Sequence, residues 1–303
     1  MTVTTPKVIA VLGGTGTTGS SVLRALVAAK DSTHPDITIR ALVRNPEKAR
    51  ATISSTVELV PITDGLDLAS ITNALKGVDS LYTMTPPVVE TQIQNDSITA
   101  LAAFQAGVKH VVYLSSLAAD PTSTASGILR GHGVAENIYK HYKYPLTILR
   151  ASWFMDNFFT QTTGLYQTLQ NYPVPYVSAK DIGIAAATVL LEGFNRHGGK
   201  TYELYDPQPL SYQEIGAKLS KAIGQEVPVA DIPNEHLLPA LQELGYTAFT
   251  AQAVVELMSA DLAGAAPADA LPKYKDIVGK DPQSFDEFVT ENIKTFQNPP
   301  TGH

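Results

Sequence analysis

Cysteine is absent from this 303-residue chain, which excludes disulfides, thiol nucleophiles, thiolate zinc sites and iron–sulfur clusters. Basic residues are also few: 22 Lys and Arg stand against 29 Asp and Glu, giving a formal net charge of -7 at pH 7. That balance opposes the phosphate neutralisation on which nucleic-acid binding depends, so we expect no nucleic-acid partner. Any catalysis must use oxygen and nitrogen groups or a bound cofactor.

Long apolar runs and targeting signals are missing as well. No stretch approaches the ~18 residues of a membrane span, and the amino terminus lacks the basic start and apolar core of a secretory signal. His-Glu-x-x-His and Gly-x-Ser-x-Gly motifs do not occur, which argues against a metal site and against a serine hydrolase. The sequence thus predicts a cytoplasmic protein without a metal or a membrane partner.

The first half of the chain alternates short apolar runs with helical patterns. The predicted strands cover residues 7–12, 37–43, 57–61, 80–83, 110–114 and 146–149. Such alternation is typical of parallel strands joined by right-handed crossovers. We therefore predict an α/β fold, a doubly wound parallel Rossmann sheet with a smaller, mostly helical C-terminal substrate domain.

The rhythm changes after Ala151 to mostly helical segments. The predicted helices lie around residues 153–170, 181–193, 211–223, 234–244, 247–261 and 284–296. One or two short strands, near 174–177 and 201–204, are expected to return to the sheet and complete it by about 174–206. This pattern predicts a dinucleotide-binding domain over 1–155 and a mainly helical lid or substrate region over 156–303.

A glycine-rich turn separates the first predicted strand from the first helix. It satisfies both G-x-G-x-x-G and G-x-x-G-x-x-G, and its context of strand before and helix after is that of a dinucleotide fingerprint. Glycine lets the backbone approach a pyrophosphate, and the helix N-terminus offers free N–H groups. The candidate cofactor-binding residues here are Gly13, Thr15, Gly16, Thr17, Thr18 and Gly19.

The choice of cofactor is read at the end of the second predicted strand, where an acidic residue would hold a ribose 2′-hydroxyl. This chain has Arg44 there, followed by Asn45 and Pro46. A guanidinium can grip a 2′-phosphate with two hydrogen bonds, so the residue favours NADP(H) over NAD, with Lys48 as a weaker helper. The alternative is a solvated arginine at a strand end.

These motifs and those that follow resemble the NmrA-like family of atypical short-chain dehydrogenases/reductases, well over residues 7–160 and loosely beyond. The resemblance rests on Gly-Gly-Thr-Gly-Thr-Thr-Gly at 13–19, Ala-Leu-Val-Arg-Asn-Pro at 41–46, Tyr-Thr-Met-Thr-Pro-Pro at 82–87, Val-Tyr-Leu-Ser-Ser at 112–116 and Leu-Arg-Ala-Ser-Trp-Phe-Met-Asp-Asn at 149–157. The last segment is also similar to that of fungal alkaloid-pathway reductases that reduce an iminium.

The resemblance implies further cofactor contacts. It places Asp64 near the adenine, and the segment with Thr83, Thr85 and Pro86 near the ribose and nicotinamide; Ser115 belongs to the same candidate set. For Asp64 and Asp67, a turn or helix N-cap is an equally good interpretation.

The usual catalytic pair of the superfamily, Tyr-x-x-x-Lys, occurs literally at Tyr139 to Lys143. We interpret it as coincidental, because it lies just before Pro145 and the next strand, at the end of a helix. By the resemblance, the lysine position falls on His132 and the tyrosine position on Ile128, which has no proton to give. His132 is therefore the candidate catalytic residue, as a proton relay or ribose contact; a partly exposed histidine at a helix start is the alternative.

An aromatic segment follows the sixth predicted strand and supplies the candidate substrate pocket: Trp153, Phe154, Asn157 and Phe158. It suggests a small, flat, apolar or aromatic substrate, although helix packing explains single aromatics equally well. We predict an NADPH-dependent oxidoreductase that reduces an iminium, quinone or enal. The alternative is an NmrA-like NADP(H)-sensing regulator that binds a protein partner without turnover. A homodimer is compatible with either.

Overall fold

The structure is a computed structural model and describes residues 7–86, 90–167, 172–259 and 271–299. Its strands are β1 (Val8–Leu12), β2 (Thr38–Val43), β3 (Glu58–Pro61), β4 (Ser80–Thr83), β5 (His110–Ser116), β6 (Leu146–Ala151), β7 (Trp153–Phe154), β8 (Leu165–Gln167), β9 (Tyr176–Val177), β10 (Thr201–Leu204) and β11 (Val229–Asp231). A 3-10 helix covers Met155–Thr160.

The helices lie between the strands and predominate in the second half of the chain. They are α1 (Thr17–Ser32), α2 (Pro46–Arg50), α3 (Leu68–Ala74), α4 (Gln92–Ala106), α5 (Gly127–His141), α6 (Ala179–Glu192), α7 (Phe194–His197), α8 (Tyr212–Ile223), α9 (Asn234–Glu243), α10 (Ala248–Ser259), α11 (Tyr274–Val278), α12 (Phe285–Glu291) and α13 (Ile293–Gln297).

Seven strands form the central sheet in the order β10-β6-β5-β4-β1-β2-β3, and all neighbours pair in parallel. Parallel sheets are covered on both faces, so their strands are apolar throughout. In β1, Ile9, Ala10 and Val11 are completely buried. The predicted doubly wound parallel sheet is therefore confirmed.

Helices cover the two faces with separate apolar clusters. On one face α1 and α6 pack so closely that a Cβ on Gly183 would lie 2.5 Å from the backbone carbon of Ser21. The cluster there includes Val22 and Ile182. On the opposite face α3, α4 and α5 bury apolar side chains, including those of Ile71, Ala100 and Tyr139. The helices that follow β4 and β5 thus lie on one side of the sheet and bring α4 beside α5.

The segment after β6 differs from the sequence prediction. The helix predicted over 153–170 is wrong for its described part, which forms β7, the 3-10 helix and β8. Gly164 and the threonines before it are poor helix formers, and Leu165 pairs instead with Val229 of β11. Residues 168–170 of that prediction lie outside the described residues.

The two predicted returning strands behave differently. β10 joins the central sheet beside β6, as expected. The strand predicted near 174–177 does not: β9 pairs with β7 in a separate two-stranded sheet, where Trp153 is opposite Tyr176. The division into domains at residues 155 and 156 stays a prediction, with α6 and β10 belonging to the layers of the central sheet.

Candidate active site

The carboxyl ends of the central strands meet along one edge of the sheet. β1 lies between β2 and β4, so the strand order reverses at β1. Open α/β sheets bind ligands in the crevice at such a reversal, outside the carboxyl ends. The loops that leave this edge after β1, β2, β4 and β5 carry most of the candidate residues.

The glycine turn after β1 is closed by short backbone contacts. Gly13 has φ +77°, in the left-handed region that favours glycine, and the N–H of Gly16 donates to its carbonyl oxygen at 3.0 Å. A Cβ on Gly19 would lie 2.2 Å from that same oxygen. Only glycine therefore permits this approach of α1 to the turn, and the cradle it leaves fits the diphosphate of a dinucleotide.

The start of α1 completes this cradle. Gly16 is the N-cap and supplies no side-chain hydrogen bond. Thr15, Gly16 and Thr17 are exposed, whereas Thr18 is buried. An uncapped helix N-terminus offers free N–H groups and the positive end of the helix dipole to a phosphate. The exposed residues are therefore placed to reach an anion, while the Thr18 side chain lies inside.

Arg44 follows β2 and its side chain is exposed. Asn45 accepts the N–H of Lys48 at 2.9 Å and caps α2, so the chain turns immediately after Arg44. Neighbouring arginines are engaged, since Arg40 and Arg50 donate to backbone carbonyls. Arg44 has no such partner among the described residues. A free guanidinium at this strand end fits a 2′-phosphate.

The two aspartates after β3 form local turns. Asp64 Oδ1 accepts the N–H of Leu66 at 2.7 Å. Asp67 Oδ1 accepts the N–H of Ser70 at 2.9 Å and caps α3, and this hydrogen bond lowers the pKa of Asp67. The N-cap interpretation of Asp67 is confirmed. A contact between the exposed Asp64 and an adenine stays a prediction.

The segment after β4 turns its threonine side chains inward. Thr83 is completely buried and Thr85 is 4% exposed, whereas Pro86 is exposed. The Thr85 hydroxyl donates to Asp96 Oδ1 on α4 at 2.7 Å. A cofactor contact at this segment would therefore involve its backbone and the Pro86 ring. Pro87, part of the same motif, lies outside the described residues.

Ser115, near the end of β5, belongs to a buried ion-pair cluster. Its hydroxyl donates to Glu136 Oε1 at 2.8 Å. Arg150 donates to both oxygens of Glu136, each at 2.8 Å, and Lys140 lies 3.3 Å from Oε2. The hydroxyl of Ser115 thus points to Glu136 on α5, and the predicted contact of Ser115 with the cofactor stays a prediction.

His132 lies on α5 and is 9% exposed. Its Nδ1 is 3.3 Å from the hydroxyl of Tyr113 on β5 and 3.3 Å from Nε2 of Gln92 on α4. Burial lowers the pKa of His132 to about 4, against the opposing charge of Glu136. The imidazole is therefore neutral near pH 7. The alternative of a partly exposed histidine at a helix start does not describe this buried side chain.

The literal Tyr-x-x-x-Lys pair is divided between two environments. Tyr139 is completely buried, and its hydroxyl donates to Asp96 Oδ1 at 3.2 Å. Lys143 is exposed beyond the end of α5, with φ +55°. Ile128, at the tyrosine position implied by the family resemblance, is 6% exposed and carries no acidic proton.

The aromatic segment after β6 contributes to two different surroundings. Phe158 is 2% exposed and contacts Phe285 and Tyr212 edge to face, with ring centroids 5.6 and 5.9 Å apart. Its place is therefore in the core, not in a pocket wall as predicted. Trp153 and Phe154 keep part of their surface exposed, and Asn157 is exposed; for these three the pocket assignment stays a prediction.

Sequence reasoning missed a buried polar group beside His132. Asp96 is completely buried and accepts hydrogen bonds from Thr85, Tyr139 and Tyr113, the last to Oδ2 at 3.3 Å. The signal available was an acidic residue on the apolar face of a helix: Asp96 stands three and four residues before Thr99 and Ala100, both buried.

Comparison with known proteins gives this geometry a context. The profile of the NmrA-like family matches residues 5–279. The NAD(P)H azoreductase of Xenophilus azovorans is 30% identical over 298 residues, covering 95% of this chain and 99% of the relative. An Escherichia coli NADPH-dependent quinone oxidoreductase complexed with NADPH has a TM-score of 0.79 at 26% identity, covering 94% of this chain and 99% of the other. Citrobacter sp. triphenylmethane reductase complexed with NADP(H) gives 0.75 and 26%, covering 93% and 99%.

No three His, Asp or Glu side chains in the described part of the chain come close enough together to hold a metal ion. Among the described helices, none is both long and apolar enough to cross a bilayer.

Proposed function

This chain belongs to the NmrA-like family, and from that membership we propose that it transfers hydride from NADPH to an apolar conjugated acceptor of the iminium, quinone or enal type. NADP(H) is its cofactor, and the protein is a reductase. The relatives named above support this class of acceptor, because azo compounds, quinones and triphenylmethane dyes are all conjugated.

The cofactor is held by residues at the carboxyl edge. The cradle between Gly13 and Gly19 accommodates the diphosphate, and Arg44 binds the 2′-phosphate. When bound, NADPH supplies a hydride. The protein's part is to orient the acceptor, to exclude water and to hold protons at defined atoms.

The observation that carries the acceptor class is the position of Tyr139. Its hydroxyl is enclosed and donates to Asp96, and Ile128 occupies the other candidate position for a phenol. An ordinary ketone reduction relies on such a phenol to protonate an alkoxide. A cationic iminium becomes neutral on taking hydride and needs no proton. A quinone becomes a delocalised anion that is less basic than an alkoxide, so it can take its proton from a donor other than a positioned phenol.

His132 and the aromatic segment complete the proposed site. Neutral at physiological pH, the His132 imidazole can hydrogen-bond a ribose hydroxyl or an acceptor oxygen. Trp153 and Phe154 supply the partly exposed aromatic surface against which a flat acceptor would stack, with Asn157 as a polar contact. Phe158 is left out of this wall because of its place in the core.

The experiment that tests the proposal is one titration followed by one assay. NADPH and NADH are titrated into the purified protein by fluorescence, and a panel of quinones, iminium compounds, triarylmethane dyes and enals is then added while nicotinamide absorbance is recorded. We expect tighter NADPH binding and oxidation that depends on the acceptor. Tight NADPH binding without oxidation by any acceptor would contradict the proposal and favour the NADP(H)-sensing alternative.

A further inference from the structure

Two buried carboxyl groups lie beside β5, and their surroundings differ in charge. Glu136 is 2% exposed and is paired with Arg150 and Lys140. Asp96 is completely buried, and its three partners are hydroxyl groups. A buried carboxylate without a cation is costly, so the neutral acid gains stability in such a place. Burial accordingly raises the pKa of Asp96 to about 6, although the three hydroxyls oppose this.

The Tyr113 hydroxyl connects this acid to His132. It lies 3.3 Å from Asp96 Oδ2 and 3.3 Å from His132 Nδ1. A phenol has one proton and two lone pairs, so it can accept from one neighbour while it donates to the other. The connection can therefore run in either direction, from Asp96 to His132 or back, without moving a heavy atom.

Gln92 is placed to serve both directions. In the structure its Nε2 lies 3.3 Å from His132 Nδ1, which suits an unprotonated Nδ1, and its Oε1 is buried without a partner. Turning the amide over would present Oε1 to a protonated Nδ1. His132 Nε2 makes no hydrogen bond within the described residues. Nδ1 of His110 lacks a partner and is fully enclosed, whereas His132 Nε2 is not one of the atoms that are both enclosed and unpartnered.

From this geometry we propose that Asp96, Tyr113 and His132 form a proton relay, which carries one proton from the buried carboxyl group to His132 Nε2 and on to the reduced acceptor. The inference rests on the proposed function, since the acceptor must first take hydride. His132 is the catalytic residue of the relay. Asp96 and Tyr113 act through it and are positioning residues.

Hydride transfer brings both electrons to the acceptor, and the relay moves only protons. The Nε2–H bond of His132 breaks as an O–H bond forms on the anionic product. Nδ1 of His132 takes the phenolic proton of Tyr113, and Tyr113 takes the carboxylic proton of Asp96, which is left as carboxylate. After product release a proton from solvent at Nε2 replaces the one given to the product. The Nδ1 proton then returns to Tyr113 and the Tyr113 proton returns to Asp96, which restores the acid.

The groups that face the relay fix its pH dependence. Tyr113, Tyr139 and Tyr144 surround Asp96, and their pKa values are raised by burial, so they stay protonated. Glu136 faces His132 from its own helix and is compensated by Arg150. With Asp96 as the group that titrates, turnover that needs a proton should fall as the pH rises past about 6.

The test compares Tyr113→Phe with a matched control, Tyr139→Phe. Both changes remove one buried hydroxyl that donates to Asp96, yet only Tyr113 lies between Asp96 and His132. Each variant is assayed with a quinone, whose product needs a proton, and with a triarylmethane cation, which needs hydride alone. We expect Tyr113→Phe to lower quinone kcat at least about tenfold more than cation kcat and to flatten the quinone pH profile. At a pH well below 6, where Asp96 is protonated in both proteins, Tyr139→Phe should change both rates by the same factor.

A readout without turnover completes the design. Infrared difference spectra recorded across pH 5 to 7.5 on the protein alone should show a carboxylic-acid band that titrates near pH 6 and is missing in Asp96→Asn. Absence of that band, or equal losses of both rates in Tyr113→Phe, would overturn the relay alone. If the wild-type protein oxidises NADPH with neither acceptor, the proposed function fails and the relay with it.

Discussion

Replacing Arg44 by alanine should weaken the binding of NADPH and leave the binding of NADH nearly unchanged. The side chain is exposed and has no hydrogen-bond or ion-pair partner among the described residues. Its loss should therefore leave the unfolding free energy within about 0.5 kcal/mol of the wild-type value. What the variant should lose is the proposed contact with a 2′-phosphate. Hydrogen bonds to a charged group are worth about 1.5–3 kcal/mol, and water at this exposed site favours the lower half of that range.

Those energies translate into a measurable change in affinity. We expect the Kd for NADPH to rise about 10- to 40-fold in Arg44→Ala, because each 1.4 kcal/mol is roughly tenfold, while the Kd for NADH stays nearly constant. Fluorescence titration of both cofactors measures this directly. The NADPH affinity of the wild-type protein should also weaken with added salt more than that of the variant, since the contact is exposed to screening.

The control for this experiment is Lys200→Ala. Lys200 is exposed at the amino end of β10, on the opposite edge of the sheet, so the change removes the same charge far from the proposed phosphate site. It should leave both affinities unaltered. Equal losses of NADPH and NADH binding in Arg44→Ala, or equal effects of the two variants, would refute the assignment of Arg44.

Three further changes test the glycine turn, the Tyr-x-x-x-Lys motif and the buried His110. Gly19→Ala should lower the unfolding free energy by about 1–3 kcal/mol in urea and weaken NADPH binding, because its Cβ would lie 2.2 Å from Gly13 O. Gly16→Ala, whose Cβ would lie 3.4 Å from the same oxygen, should lower the unfolding free energy less. Equal decreases in the two variants would contradict the close approach of Gly19 to the turn. Tyr139→Phe should lower the unfolding free energy by about 1 kcal/mol with kcat within about twofold, whereas a collapse of kcat in the folded variant would make Tyr139 catalytic. The pKa of His110 is lowered to about 4 by burial and by the charges of Lys7 and His197. The folded protein therefore favours the neutral imidazole. The resulting contribution to stability is fully present at pH values above the unfolded pKa near 6.5 and is lost as the pH falls towards 4. Between pH 7.5 and 5 the wild-type protein should lose about 2 kcal/mol more than His110→Gln in urea unfolding, and identical losses would exclude this group.

The central sheet follows from the sequence because its strands are buried on both faces. The apolar run predicted at 80–83 matches β4, Ser80–Thr83, and the others match within a few residues. Periodicity failed over 153–170, where the aromatic residues have helix-like spacing. Leu165 there pairs with Val229, 64 positions away in the chain, and no local pattern reveals such a partner.

The same distinction divides the candidate site. The glycine turn and Arg44 are local features whose role depends on a strand that ends and a helix that begins, so the sequence predicts them. Ser115 and Phe158 were assigned from their positions after strands, but their side chains are directed by distant partners, Glu136 and Phe285. Only the packing of helices on the sheet decides which of two faces such a side chain takes.

The contrast between Asp96 and Glu136 depends on that packing too. Both are acidic residues on buried helix faces, and the sequence alone gives no reason to treat them differently. The difference is made by Arg150, which leaves β6 towards α5 and neutralises Glu136, while no cation of the described residues pairs with Asp96. One buried acid thus joins a strand to a helix through Arg150, whereas the other has only hydroxyl partners, and the proposed proton relay rests on this contrast.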